Sequence, residues 1–139
     1  MSTQNVELVR GFYDAAGKGD LGAARGLLDS NVEWIEPEVP GLWFSGTHRG
    51  PDAVFKDVIE PSFARFDKFR LEFDQFLDAG DHVVVLGHFC GQNKETHNDF
   101  RAPFAHIWKV QGSKVVWFRN FVDATSMLIA LSDVSDDQK

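Results

Sequence analysis

The chain has 139 residues, with 14 basic against 21 acidic side chains and a formal net charge of −7; that length suits one domain able to fold without disulfides or a metal. Apolar and charged fractions of 43% and 25% are globular values and exclude wholesale disorder. The acidic balance excludes a nucleic-acid-binding patch, the lack of any apolar run near roughly 18 residues excludes a membrane span, and the lone Cys90 excludes a disulfide framework.

Val6, Val9, Tyr13 and Ala16 recur at helical spacing, so residues 4 to 17 are predicted as an amphipathic helix. Gly17 and Gly19 stop it, and Asp20 caps a second helix carrying Leu21, Ala24, Leu27 and Leu28, which Asp29-Ser30-Asn31 ends. Val32, Trp34 and Glu36 alternate with Glu33 and Ile35 in a short strand closed by Pro37. Residues 37 to 49 read as a loop. Pro51 then opens a third helix bearing Val54, Phe55 and Val58, which Pro61 kinks or ends.

From Phe69 the period changes to two. Phe69, Leu71, Phe73 and Leu77 give a half-solvated strand, His82 to Cys90 a second, Phe100 to Val110 a third and Val115 to Val122 a fourth. Gly91 to Asn98 is a polar hairpin loop, and Gly112-Ser113 is a tight turn. Met127 to Leu131 are expected as a short helix and 132 to 139 as a disordered acidic tail, leaving 1 to 131 as the single domain. The fold class is α+β, with helices mainly in the first half and an antiparallel meander in the second. A cytoplasmic location is expected, because residues 1 to 10 lack the apolar core of a signal peptide.

If Gly112-Ser113 is a two-residue turn, Trp108 opposes Trp117, His106 opposes Arg119 and Phe104 opposes Phe121 on one face. Ala105 then opposes Asn120 and Ile107 opposes Phe118 on the other. Both faces are largely apolar and need covers. The helices supply one, and a homodimer through the outer Trp108/Trp117 face supplies the other.

Phe12-Tyr13, Gly19-Asp20-Leu21, Val32-Glu33-Trp34, Glu36-Pro37, Ser45 through Gly50, and Trp108 through Val115 with its glycine turn resemble the SnoaL-like group of the ketosteroid-isomerase and nuclear-transport-factor superfamily. The resemblance covers about residues 5 to 131. It implies a cone-shaped curved antiparallel sheet wrapped round three helices, an apolar pocket in its mouth and a dimer. Members include isomerases, polyketide cyclases, epoxide hydrolases and dehydratases, and also non-catalytic binding and assembly modules, so fold alone does not decide function. Against ketosteroid isomerase, the general-base Asp falls on Glu36, the oxyanion-hole Tyr on Phe12 and the oxyanion-hole acid on Ala105. Both hydrogen-bond donors are therefore missing at those positions. Against limonene epoxide hydrolase, the last-strand Asp falls on Asn120, and an amide cannot serve as a base for water.

Glu36 shares a strand face with Trp34; either it enters the Phe-rich cavity as a proton shuttle with a raised pKa, or it sits at the wet rim and pairs with Arg49. Asn120 either donates a hydrogen bond to a ligand carbonyl or is a satisfied polar spacer. Phe12, Tyr13, Trp34, Ala105 and Phe118 are the expected substrate-binding walls, and Trp43 beside Phe44 either forms a lid on a mobile loop or packs ordinarily. His106, Arg119 and Asp123 form a second constellation, read as a base, a cation and an orienting acid or as an ion-pair network on the outer face. His88 and Cys90, two apart on one strand, read as a buried thiol beside a satisfied imidazole. The five histidines show no metal-ligand spacing, so no metal and no cofactor is expected. The expected ligand is a small apolar molecule bearing oxygen. The expected activity, toward which the candidate residues lean, is a cofactor-independent isomerase, lyase or hydrolase, with a non-catalytic binding or dimeric assembly module as the alternative.

Overall fold

The computed structural model describes residues 2–123; the expected helix at 127 to 131 and tail at 132 to 139 lie outside them. Helix α1 (Ser2–Gly17) turns Val9 and Phe12 into the core. Gly19, at φ +78°, reverses the chain, and the Asp20 carboxylate accepts from the Ala23 amide to cap α2 (Leu21–Arg25). This helix is shorter than the sequence predicts. It ends at Arg25, and Leu28 already begins strand β1 (Leu28–Glu36). Asp29-Ser30-Asn31 lies inside that strand, where an irregularity between Leu28 and Glu33 bends it before Val32, Trp34 and Glu36 turn inward.

The predicted loop contains a further strand, β2 (Gly46–Arg49), paired antiparallel to β1 with Trp34 opposite His48. Helix α3 (Gly50–Ala53) passes through a π-helical stretch, Val54–Ile59, into α4 (Glu60–Arg65). Proline 61 has no amide to donate, and in a regular helix its ring would clash with the carbonyl four residues back. Widening the preceding turns, so that the Glu60 amide reaches the Phe55 carbonyl, lets the helix run past it instead of ending.

Strands β3 (Phe66–Ala79), β4 (His82–Asn93), β5 (Asp99–Gln111) and β6 (Lys114–Val122) follow as an antiparallel meander. The six strands form one sheet in the order β2-β1-β6-β5-β4-β3, and β1 lies parallel to β6. Two register shifts in β3, after Asp67 and after Phe73, bend it. Gly87 on β4 is where this curvature demands glycine: a Cβ there would stand 2.2 Å from the Glu72 carbonyl oxygen and 3.0 Å from the Phe104 ring. No helix among the described residues is long and apolar enough to cross a membrane.

The last hairpin corrects the sequence reading. Gly112 and Ser113, at φ +57° and +62°, make the expected two-residue turn, and Gln111 pairs with Lys114 and Val110 with Val115. The register then shifts, because Lys109 pairs with Trp117 and Val116 is the extra residue of a bulge. Beyond it every pairing differs by one from the simple hairpin: Trp108 faces Phe118, His106 faces Asn120 and Ala105 faces Phe121. Phe104, His106 and Trp108 therefore share the concave face with Phe118 and Asn120, while Ala105, Ile107, Trp117, Arg119 and Phe121 lie outside. Trp108 is fully buried within its own chain, so of the expected Trp108/Trp117 pair only Trp117 lies on the outer face.

Candidate functional site

The concave face of the sheet, covered by α1 and α4, encloses a cavity of about 410 Å³. Its floor is aromatic. Trp34 of β1 stacks on Phe118 of β6 with centroids 3.8 Å apart, Trp108 of β5 meets Phe118 at 4.6 Å, and Phe12 of α1 closes on Trp108 at 5.1 Å. The next row along the same three strands is polar. Glu36, Asn120 and His106 stand side by side on β1, β6 and β5, because Ile35 pairs with Arg119 and His106 with Asn120. At the mouth stand Phe63 and Phe73, both partly exposed, with Asp14, Lys18 and Arg70.

Glu36 is 8% exposed. Its Oε2 accepts the Trp34 indole N–H at 2.7 Å and its Oε1 accepts the Asn120 amide N–H at 2.9 Å. Burial pushes its pKa from 4.5 up to about 7, against the opposing pull of the two donors and the charge of His48. Arg49 does not hold it; that guanidinium lies 3.3 Å from Glu33 on the other face of β1. His48 is itself buried beside this end of the site, with Nε2 2.7 Å from the Phe44 carbonyl and Nδ1 3.6 Å from Asp57.

A second hydrogen-bonded chain lies across the cavity. The Trp108 indole N–H donates to the Tyr13 hydroxyl at 2.9 Å, and that hydroxyl lies 2.6 Å from His106 Nδ1. His106 is 3% exposed and stacked on Phe104 at 3.8 Å. Burial drives its pKa well below the usual imidazole value and that of Tyr13 well above the usual phenol value, so both groups are neutral near pH 7. His106 Nε2 and Asn120 Oδ1 are buried without a protein partner.

Of the residues expected at the site, Glu36, Asn120, Phe12, Tyr13, Trp34, Trp43 and Phe118 line the cavity. Ala105 does not; the alternation of β5 places it on the outer face, between Phe104 and His106. The constellation of His106, Arg119 and Asp123 is taken apart by the bulge at Val116. His106 goes inside, Arg119 lies exposed over the Phe121 ring at 4.7 Å, and Asp123 is exposed at the end of β6. Trp43 is fastened rather than loose: its indole donates to Ser62 Oγ at 3.2 Å, and the Arg65 guanidinium covers its ring at 4.3 Å. Burial raises the pKa of Cys90, which keeps its thiol protonated, and His88 Nδ1 lies 3.4 Å from Asp74. No group of three His, Cys, Asp or Glu suited to a metal occurs among the described residues. Sequence reasoning missed His106 as a wall residue, although the alternation Phe100, Ala102, Phe104, His106, Trp108, Val110 against Arg101, Pro103, Lys109 and Gln111 places it inside without reference to the hairpin.

No curated protein sequence matches the chain. Among solved structures, an NTF2-like protein from Burkholderia thailandensis is similar at TM-score 0.83 and 28% identity, covering 91% of this chain and 96% of that one. An NTF2-like protein of unknown function from Burkholderia pseudomallei is similar at TM-score 0.85 and 25% identity, covering 93% and 98%. TerC, co-crystallized with polyporic acid, shares the fold at TM-score 0.81 and 21% identity, covering 92% and 98%. The SnoaL-like domain family matches residues 9–118, from the middle of α1 to the aromatic floor on β6, so the chain belongs to that family.

Proposed function

We propose that the protein is an acid–base enzyme acting on a small, largely apolar molecule that carries oxygen, with Glu36 as the proton carrier. The observation that supports this most is the state of Glu36 itself. A carboxyl held near pH 7 at the wall of a ring-lined cavity is matched to taking a proton from carbon beside a carbonyl and returning it elsewhere. As the carboxylate accepts the substrate proton it becomes a neutral acid, and donating that proton to another atom of the same substrate restores it. Proton transfer of this kind draws on no other group than the carboxyl and a polarised substrate oxygen. TerC, which shares this fold and is co-crystallized with polyporic acid, supports a small organic molecule as the ligand.

The test is deuterium exchange. Incubated in deuterium oxide with cyclic enones and β-diketones, the wild-type protein exchanges the α-protons faster than Glu36→Gln by about 10²- to 10⁴-fold, followed by proton NMR. Exchange equally fast in both variants overturns the reading. A second reading, a non-catalytic binding module, draws on the fact that both Glu36 oxygens are already engaged by Trp34 and Asn120. Tight binding of these compounds with no exchange above buffer selects it.

A further inference from the structure

Glu36 is a buried carboxyl in the cavity wall without a counter-ion. Buried acids in native proteins are nearly always paired with a cation. The partners of Glu36 are neutral donors instead, the Trp34 indole N–H on Oε2 and the Asn120 amide N–H on Oε1. Among the described residues, no Lys or Arg acts on it. Arg49 is drawn to Glu33 on the other face of β1, and Lys18 and Arg70 stand exposed at the mouth. Of the side chains that can carry positive charge only His48 of β2 acts on it, and that ring is turned to the Phe44 carbonyl and to Asp57 of the π-helical stretch. The other titratable groups of the cavity are Tyr13 on α1 and His106 on β5, both neutral, and Asp14 at the mouth. A buried acid that faces a cavity and lacks a cation of its own is complementary to a ligand that brings one.

We infer that the cavity binds an organic cation, a compact alkylated ammonium ion on an apolar body, with Glu36 as its counter-ion and the rings of Phe12, Trp34, Trp108 and Phe118 as its walls. Both Glu36 oxygens already accept an N–H, so the ligand needs no hydrogen bond to this carboxyl. An ammonium whose hydrogens are all replaced by carbon asks for none. It brings charge to the carboxylate and methyl surface to the rings, and ring faces attract such an ion by their own negative charge density. The chain makes this kind of contact with its own cations: the Arg65 guanidinium lies over the Trp43 ring at 4.3 Å. A bare metal ion fits less well, because it demands several oxygen ligands and no group of three His, Cys, Asp or Glu suited to one occurs among the described residues. The net charge of −7 draws cations to the molecule, and Asp14 at the mouth offsets the neighbouring Lys18.

This inference deepens the proposed function by naming a second class of ligand for the same cavity. It rests on that cavity as the ligand site, but it does not depend on Glu36 moving a proton. The deuterium exchange can therefore fail while cation binding stands, and the reverse. The matched probes are phenyltrimethylammonium and tert-butylbenzene, which share a shape and differ by nitrogen for carbon. The ammonium ion has no proton to lose, so any pH dependence belongs to the protein. Calorimetric titration of the wild-type protein in about 150 mM sodium chloride gives at least about 10-fold tighter binding of the cation at about pH 8.5 than at about pH 5.5, because Glu36 is ionised at the first and protonated at the second. The affinity for tert-butylbenzene changes by less than about 3-fold. Glu36→Gln binds the cation at least about 10-fold less tightly than wild type at about pH 8.5 and keeps a pH dependence of less than about 3-fold. Carbon-13 NMR of labelled glutamate tests the same point without a variant: saturating phenyltrimethylammonium moves the Glu36 titration of the wild-type protein to lower pH, by about one pH unit or more. Equal pH dependence for the two probes, cation binding unchanged in Glu36→Gln, no cation binding at about pH 8.5, or an unmoved Glu36 titration overturns the inference.

Discussion

Replacing Glu36 by glutamine should change how stability depends on pH, by an amount the structure supplies. An unfolded chain titrates this carboxyl at about 4.5, and the folded protein holds it at about 7. The folded state therefore binds the proton more tightly than the unfolded state. The stability contributed by Glu36 is fully present below about pH 4.5 and is lost as pH rises through about 7. At about 1.4 kcal/mol per pH unit, the gap corresponds to about 3 kcal/mol. Glutamine does not titrate, so the stability of wild type minus that of Glu36→Gln falls by about 3 kcal/mol between about pH 4.5 and about pH 8.5. The glutamine oxygen accepts from only one of the Trp34 and Asn120 donors. This adds a constant offset of about 1–2 kcal/mol that does not change with pH. Groups titrating elsewhere cancel in the difference. Urea unfolding of both variants across this pH range measures it directly. Parallel curves, or a wild type that gains on the variant as pH rises, would refute burial as the dominant influence on this carboxyl, and with it the case for a proton carrier poised near neutrality.

Trp34→Phe removes the indole N–H that favours the Glu36 anion, so the carboxyl should titrate above about 7; carbon-13 NMR of labelled glutamate checks the direction, and a fall would contradict it. Gly87→Ala places a methyl against the Glu72 carbonyl, and should cost about 3 kcal/mol, seen as a Tm lower by about 10 °C. A near-neutral change would mean that the sheet relaxes there. Phe121 is 46% exposed on the convex face, so Phe121→Asp should leave the stability of a single chain within about 0.5 kcal/mol. Sedimentation of the two proteins tests the expected homodimer at the same time: a wild-type dimer that this variant separates locates the interface on the convex face, and a wild-type monomer removes it.

Much of the architecture was legible because each strand of the meander carries its own alternation, and the turns after β3 and β5 carry Gly80 and Gly112. Glu36 was legible as an inward residue because it lies two positions from Trp34 and just before Pro37, which ends the strand. What could not be read were events that add or remove one residue of pairing. The bend in β1 hides Asp29-Ser30-Asn31 inside a strand, and the strand β2 has only four residues, Gly46–Arg49, to announce it. The π-helical stretch before Pro61 substitutes for the break that proline ordinarily imposes. The bulge at Val116 is the most consequential of these. Trp117, Arg119 and Phe121 are as apolar a set as Phe118, Asn120 and Val122, so the composition of β6 does not say which set is inside. The error it caused fell on the site, turning Ala105 inward on paper and sending His106 to the wrong company.

That single extra residue also bears on how such a protein could acquire a different ligand. Were the bulge lost with every residue kept, so that Val116 paired with Lys109, the slip would exchange Phe118, Asn120 and Val122 in the cavity wall for Trp117, Arg119 and Phe121. Glu36 would lose an amide neighbour and gain a guanidinium in the same step, while β1 and β5 kept their places. A point substitution alters one contact at a time. A strand whose two sides are both tolerably apolar can instead swap a whole wall through one slip of register, holding a second chemistry in reserve on its outer surface.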